Sequence, residues 1–230
     1  MTSLPRALIA CVLALGPAHW AQAVPEDPTA EAVLAKVELE SDRRHAGLKE
    51  YSGSRVYTLL NQRFGKEAAT TVFAKYRASE GEHFTVVQRS GSDRLNGIID
   101  QVLSTESAES VPPVNAAREI SAANYRVRLL GTETVAGRNC FVLALAPRRK
   151  QRSLVAGKAW VDATTYAVVR LDGQFAASVS VFLGAPRIVE DFVEVGGFWL
   201  PGHVRSVTSS LLLGPTSLEI AFSNYQLTAE

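Results

Sequence analysis

The 230-residue chain carries 24 basic and 23 acidic side chains, a balance that excludes a general electrostatic grip on nucleic acid or on an anionic bilayer. With 47% hydrophobic residues it has the apolar material for one large core. Of its two cysteines, Cys11 lies within an N-terminal export segment and only Cys140 lies beyond it, which excludes an internal disulfide in the processed chain.

That segment opens the chain. Arg6 gives a short positive start, 7–15 is an uninterrupted apolar run, Gly16-Pro17 breaks any helix, and Ala21-Gln22-Ala23 has the small-x-small form read by signal peptidase. The pattern predicts a secretory signal peptide cleaved after Ala23, a mature domain over 24–230 and a site of action outside the cytoplasm. The apolar run is too short for a hydrocarbon core about 30 Å thick. Leu8-Ile9-Ala10-Cys11 matches a lipoprotein signal, but only Ala7 separates it from Arg6, so cleavage after Ala23 is preferred and the mature protein is expected to be soluble. Cleavage removes Arg6 alone among the charged residues and leaves the two signs in balance.

Asp27-Pro28 reads as a helix start, with Asp27 as N-cap and Pro28 at the first helical position. Ala30, Val33, Leu34 and Val37 follow at i, i+3, i+4, i+7, and the pattern weakens through 40–44 before resuming at Leu48, so a helix is expected over about 28–48. From Tyr51 the texture becomes β-like. Segments 55–63, 70–78 and 83–89, joined at Gly65-Lys-Glu and Glu80-Gly81-Glu, predict an antiparallel meander. Asp93 is read as the cap of a second helix whose Leu95, Ile98, Ile99, Val102 and Leu103 share one stripe. A polar connector with Pro112-Pro113 covers 107–121, with room for one helical turn near 115–119. Strands are then expected at 125–130, 139–145, 158–163, 168–172, 178–183, 187–195, 198–213 and 218–227, with turns at Gly137, Thr164-Thr165 and Gly196-Gly197. An antiparallel sheet of about ten or eleven strands must coil, and only the two amphipathic helices are available to fill its concave face. The expected fold is therefore α+β: a strongly curved antiparallel sheet, an incomplete barrel, wrapped over amphipathic helices as a single domain.

Several phrases of the chain resemble the periplasmic superfamily of the lipoprotein carriers LolA and LolB and the stress regulator RseB. They are Asn124-Tyr125-x-Val-x-Leu-Leu-Gly131-x-Glu-x-Val-Ala-Gly137-Arg138-x-Cys-x-Val-Leu-x-Leu-x-Pro147, Lys158-Ala-Trp160-Val-Asp162, Val168-Val-Arg170 and Gly196-Gly-Phe-Trp199-Leu-Pro201. The resemblance implies an incomplete barrel closed by helices, an apolar cavity for acyl chains and a periplasmic location. RseB-like regulators carry a further C-terminal domain, which places the carrier reading ahead of the sensor reading.

Candidate ligand-binding residues are the stripe Leu95, Ile98, Ile99 and Val102, the strand residues Val72, Tyr76, Phe84 and Val86, and the aromatic Trp160. Each is equally readable as core packing, and the facing of the strand residues reverses on a one-residue slip. Arg148, Arg149, Lys150 and Arg152 form the one concentrated basic patch, a contact for a lipid head group or a protein partner, or a solvated hairpin loop. Asp162 is read as a turn initiator, Pro201 as a strand-edge proline and Cys140 as a buried thiol. His45, His83 and His203 are scattered and no His/Cys pair has ligand spacing, so neither a metal nor a cofactor is expected. No G-x-S-x-G, H-E-x-x-H or paired-carboxylate signature appears. The expected function is a periplasmic, non-enzymatic binding protein that shelters the acyl chain of a lipid or lipoprotein, in contact with an envelope membrane or protein partner and not with nucleic acid. The alternatives are an RseB-like envelope sensor or interaction module, and an extracytoplasmic hydrolase.

Overall fold

A computed structural model describes residues 28–111, 116, 118–177, 185–210 and 214–229. The signal segment, Cys11, Asp27, Pro112-Pro113 and the expected strand at 178–183 lie outside the described residues, and so does part of the helical turn expected near 115–119.

Helix α1 spans Ala30–Gly47 and buries the expected Ala30, Val33, Leu34 and Val37. Its cap is Thr29, whose Oγ1 accepts from the Ala32 amide at 3.2 Å, so the first helical residue is Ala30, two residues beyond the Pro28 expected there. The polar second half stays helical through contacts that the apolar stripe does not supply. Ser41 donates to Glu119 at 2.6 Å, Arg43 donates to the Gly197 carbonyl at 3.0 Å, and Arg44 and His45 face Glu119 at 3.6 and 3.3 Å. Strand β1 begins directly at Leu48 and runs to Asn61, followed by β2, Lys66–Arg77, and β3, Gly81–Gly91. Helix α2 covers Asp93–Glu109. Ser92 occupies its cap position, and Asp93, expected there, is the first helical residue, where its charge meets the positive end of the helix dipole.

Seven strands follow: β4 Tyr125–Val135, β5 Arg138–Pro147, β6 Val155–Asp162, β7 Val168–Phe175, β8 Arg187–Val195, β9 Phe198–Ser210 and β10 Gly214–Ala229. All ten strands form one antiparallel sheet in the order β3-β2-β1-β10-β9-β8-β7-β6-β5-β4, which is not closed into a barrel. The long step is β1 to β10, which joins the N-terminal meander to the end of the C-terminal one. Two-residue hairpins turn the chain, as at Gly196-Gly197, where both residues take left-handed backbone (φ 56° and 81°). Gly157 and Gly173 face each other across β6 and β7, and a Cβ on either would collide with the backbone of the other strand, so the sheet bends there at residues without side chains. Asp162 initiates the β6–β7 turn as expected: its Oδ1 accepts from the amides of Thr164 and Thr165 at 2.9 and 2.8 Å. Pro201 departs from expectation, because β9 is an interior strand. It sits beside a β-bulge with β8 and beyond the last β9–β10 pair, where its missing N–H breaks no ladder.

The concave face carries the core. Tyr57, Leu59, Ala68 and Val72 of β1 and β2, Leu95, Ile99 and Leu103 of α2, and Val155, Ile188, Val204 and Ile220 from four further strands form one cluster. Helix α1 seats Val33 and Val37 against Tyr125, Leu143, Leu145 and Val161 of β4–β6. Leu171 touches both clusters, so the two helices share one continuous apolar floor. A buried polar pair fixes the rotation of α2: Thr70 donates to Asn96 Oδ1 at 2.8 Å, and Asn96 donates to the Ser90 carbonyl at 3.1 Å. Among the described residues no helix is long and apolar enough to cross a membrane.

Candidate functional site

The concave interior is two-toned, with an apolar floor and a charged cluster at one end. The alternation of β1 places Tyr51, Arg55, Tyr57 and Leu59 on the same inward face. Arg55 is 4% exposed, and its guanidinium lies between the rings of Phe84 and Phe222, at 5.0 and 4.8 Å from their centroids. Two carboxylates hold it. Glu82 of β3 accepts from both Arg55 and Tyr51, and Glu106 of α2 accepts from Arg55 at 3.2 Å and from the Tyr57 hydroxyl at 2.7 Å. Tyr51 stacks on Tyr76 at 4.9 Å and meets Tyr225 edge-on at 5.7 Å, and Tyr225 donates to the Pro201 carbonyl at 2.8 Å. The cluster therefore ties β1, β3, α2, β10 and β9 together.

Burial raises the Tyr51, Tyr57 and Tyr225 hydroxyls above their ordinary value, so all three stay neutral donors. Burial opposes the charge on Arg55, but Glu82, Tyr51 and Tyr57 together outweigh it and hold the guanidinium protonated. The Glu106 carboxyl is pushed up by burial, against the pull of Arg55 and Tyr57. Glu119, which links the connector to α1, goes the other way: burial raises it, yet His45, Arg44 and Ser41 together bring it below the ordinary value.

Glu190 differs from these. It lies on β8 opposite Val204, in the inward row shared with Ile188, half-buried and without a hydrogen bond or ion pair among the described residues. Burial pushes its carboxyl up to about 7, with Arg118 opposing the rise and Glu106 adding to it. An acid whose folded pKa lies above its unfolded value binds its proton more tightly in the folded chain, so stability falls as pH rises from about 4.5 to about 7. Glu190→Gln should remove this contribution. Urea midpoints measured between pH 5 and pH 8 should fall more steeply for the wild type than for the variant, and equal slopes would show that Glu190 titrates normally.

The candidate residues distribute unevenly around this interior. Val72, Leu95 and Ile99 are in the main cluster, and Phe84, Ile98 and Val102 are partly buried against it. Tyr76 belongs to a neighbouring cluster with Leu48, Tyr51, Phe198 and Leu200. Val86 pairs with Val72 but stands 40% exposed, because β3 is the sheet edge. Trp160 is corrected. It pairs with Val142 and packs with Cys140, Val169 and Trp199, on the opposite face from Ala159 and Val161, so it does not line the helix-filled interior. Its indole donates to Glu133 at 2.8 Å.

In the basic loop, Arg148 donates to the carbonyls of Ala122 and Tyr125 and Arg149 to Asn124 Oδ1, so these two brace the chain entering β4, while Lys150 and Arg152 are exposed. Reading the sequence for sites missed Arg55 and Glu190. The available signal was their place in the inward alternation, Arg55 with Tyr57 and Leu59 and Glu190 with Ile188. Among the described residues no group of three or more His, Cys, Asp or Glu side chains is placed to hold a metal ion.

No family model and no curated protein matches the chain. Solved structures do align over most of it. A DUF1329 family protein from Desulfovibrio piger shares 13% identity over 87% of this chain and 94% of its own, with a TM-score of 0.45. A putative outer membrane lipoprotein-sorting protein domain from Vibrio parahaemolyticus shares 12% over 84% and 91%, with a TM-score of 0.45. A LolA superfamily protein from Nitrosomonas europaea shares 15% over 88% and 94%, with a TM-score of 0.38.

Proposed function

We propose that this protein is a non-enzymatic, periplasmic binding protein that shelters an acyl chain of a lipid or lipoprotein between the curved sheet and its helices. The observation that carries the reading is the fringe of the interior. Phe84, Ile98, Val102, Phe175, Leu218 and Phe222 all pack on the main cluster yet remain partly accessible, so apolar surface faces inward without being fully covered. Arg55, Glu106 and Glu190 border that fringe and offer charge and hydrogen bonds to a polar head. Each buried methylene contributes about 0.8 kcal/mol, so six of them supply about 5 kcal/mol.

Uptake of a fluorescent C16 fatty acid by delipidated protein tests the proposal. Saturable uptake, reversed by a triacylated lipopeptide, is expected. Val102→Asp and Leu218→Asp place a charge on the fringe at positions already partly exposed, and each should weaken uptake about tenfold or more. Absence of uptake under conditions where a known carrier binds the probe would overturn the reading and leave an interaction module with a self-filled interior.

A further inference from the structure

The outer face of β4–β6 has a charge distribution unlike its surroundings. Elsewhere on the outside of the sheet cations are matched to acids: Arg205 with Glu219 at 2.9 Å, Arg187 with Asp172 at 3.0 Å, and Arg138 with Glu194 at 2.9 Å. Arg126, Arg128 and Lys158 have no ion pair among the described residues, and all three are exposed. Asp172 stands opposite Lys158 in register, but its carboxylate is engaged by Arg187. Lys150 and Arg152, in the adjoining loop, are equally without an acidic partner.

Register converts these residues into a trough. Arg126 pairs with Ala146, Arg128 pairs with Ala144, and Ala144 pairs with Lys158. Two alanines form the floor, with arginines on one wall and a lysine on the other. Along β4 the two arginines are two residues apart, about 6.8 Å in an extended strand, which is the spacing of same-face side chains in another extended strand. Next to the trough a groove of about 670 Å³ is lined by Lys158, Trp160, Gln174 and Arg187.

We propose that the outer face of β4–β6 is a docking surface for an acidic, extended polypeptide segment that lies along the trough, its carboxylates meeting Arg126 and Arg128 on one side and Lys158 on the other. The geometry favours a polypeptide over a membrane. The cations line a recess and its walls, and Leu130 is the one large apolar side chain of β4 with high exposure, too little for insertion into lipid. The proposal does not depend on acyl-chain binding in the interior.

The test uses a labelled short peptide of alternating glutamate and threonine, with a glutamine–threonine peptide and phosphatidylglycerol vesicles as comparators. The wild type should bind the acidic peptide with an affinity that falls as salt rises. Arg126→Glu/Arg128→Glu/Lys158→Glu should weaken binding about tenfold or more, whereas Lys66→Glu/Arg94→Glu, on β2 and α2, should leave it unchanged. If charge reversal unfolds the protein, Arg126→Gln/Arg128→Gln/Lys158→Gln repeats the comparison. Failure to bind the acidic peptide, binding indifferent to the three residues, or vesicle binding that depends on them without peptide binding would each overturn the proposal.

Discussion

Arg55→Leu should lower the free energy of unfolding by about 3–5 kcal/mol, the cost of leaving buried carboxylates without their counter-ion. Arg55 is the shared partner of Glu82, near the start of β3 on the far side of β2, and of Glu106, in the last turn of α2. Removing the guanidinium strands both negative charges and two tyrosine hydroxyls in a region closed by Phe84 and Phe222. Part of the loss should be recovered in Arg55→Leu/Glu82→Gln/Glu106→Gln, because an apolar or neutral replacement of the whole set avoids the unpaired charge. Urea unfolding of the single and triple variants measures both effects. A single variant within about 0.5 kcal/mol of wild type would show that the cluster is solvated and contributes little.

Ile99→Ala should cost about 2–5 kcal/mol, and Ile99→Val about 0.5–1.5 kcal/mol. Ile99 is fully buried at the centre of the α2 stripe, and its neighbours come from both halves of the sheet, β1 and β2 on one side and β6, β8, β9 and β10 on the other. The helix is the filler that lets a ten-stranded sheet coil, so a void under Ile99 loosens contacts across the whole concave face. Urea denaturation should show a lower midpoint with an unchanged slope. An alanine variant as stable as wild type would mean that α2 lies on the sheet without supporting its curvature.

The coil of the fold was legible because its signals are redundant. The stripe from Leu95 to Leu103 and the alternation in β1 and β2 each point to the same concave face, and the hairpin at Gly196-Gly197 follows from its residue types alone. Less legible were features set by long-range contacts. The second half of α1 has no apolar periodicity of its own and is held by Glu119, 78 residues away from Ser41 in the chain. Trp160 lies in a run, Ala159 to Asp162, that is buried on both faces of the sheet, so only Lys158 two residues earlier marks its face as the outer one. Arg55 and Glu190 were hidden by their residue types. A lone cation or acid in a strand ordinarily faces water, and only the burial of their i±2 neighbours reveals that these two face inward.

Both helices are tied to the segment that precedes β4. The apolar fringe is bordered by α2, while the 116–124 connector is tied to α1 through Glu119 and to α2 through Arg118, which faces Glu109 at 3.5 Å.

Native mass spectrometry of the protein purified without detergent from its own cell envelope tests the central claim most directly. The account predicts a bound species whose mass and fragmentation identify an acyl-bearing lipid or lipoprotein fragment, and its loss in Leu218→Asp. A bare polypeptide mass in every preparation, from a protein that also takes up no fatty-acid probe, would contradict it.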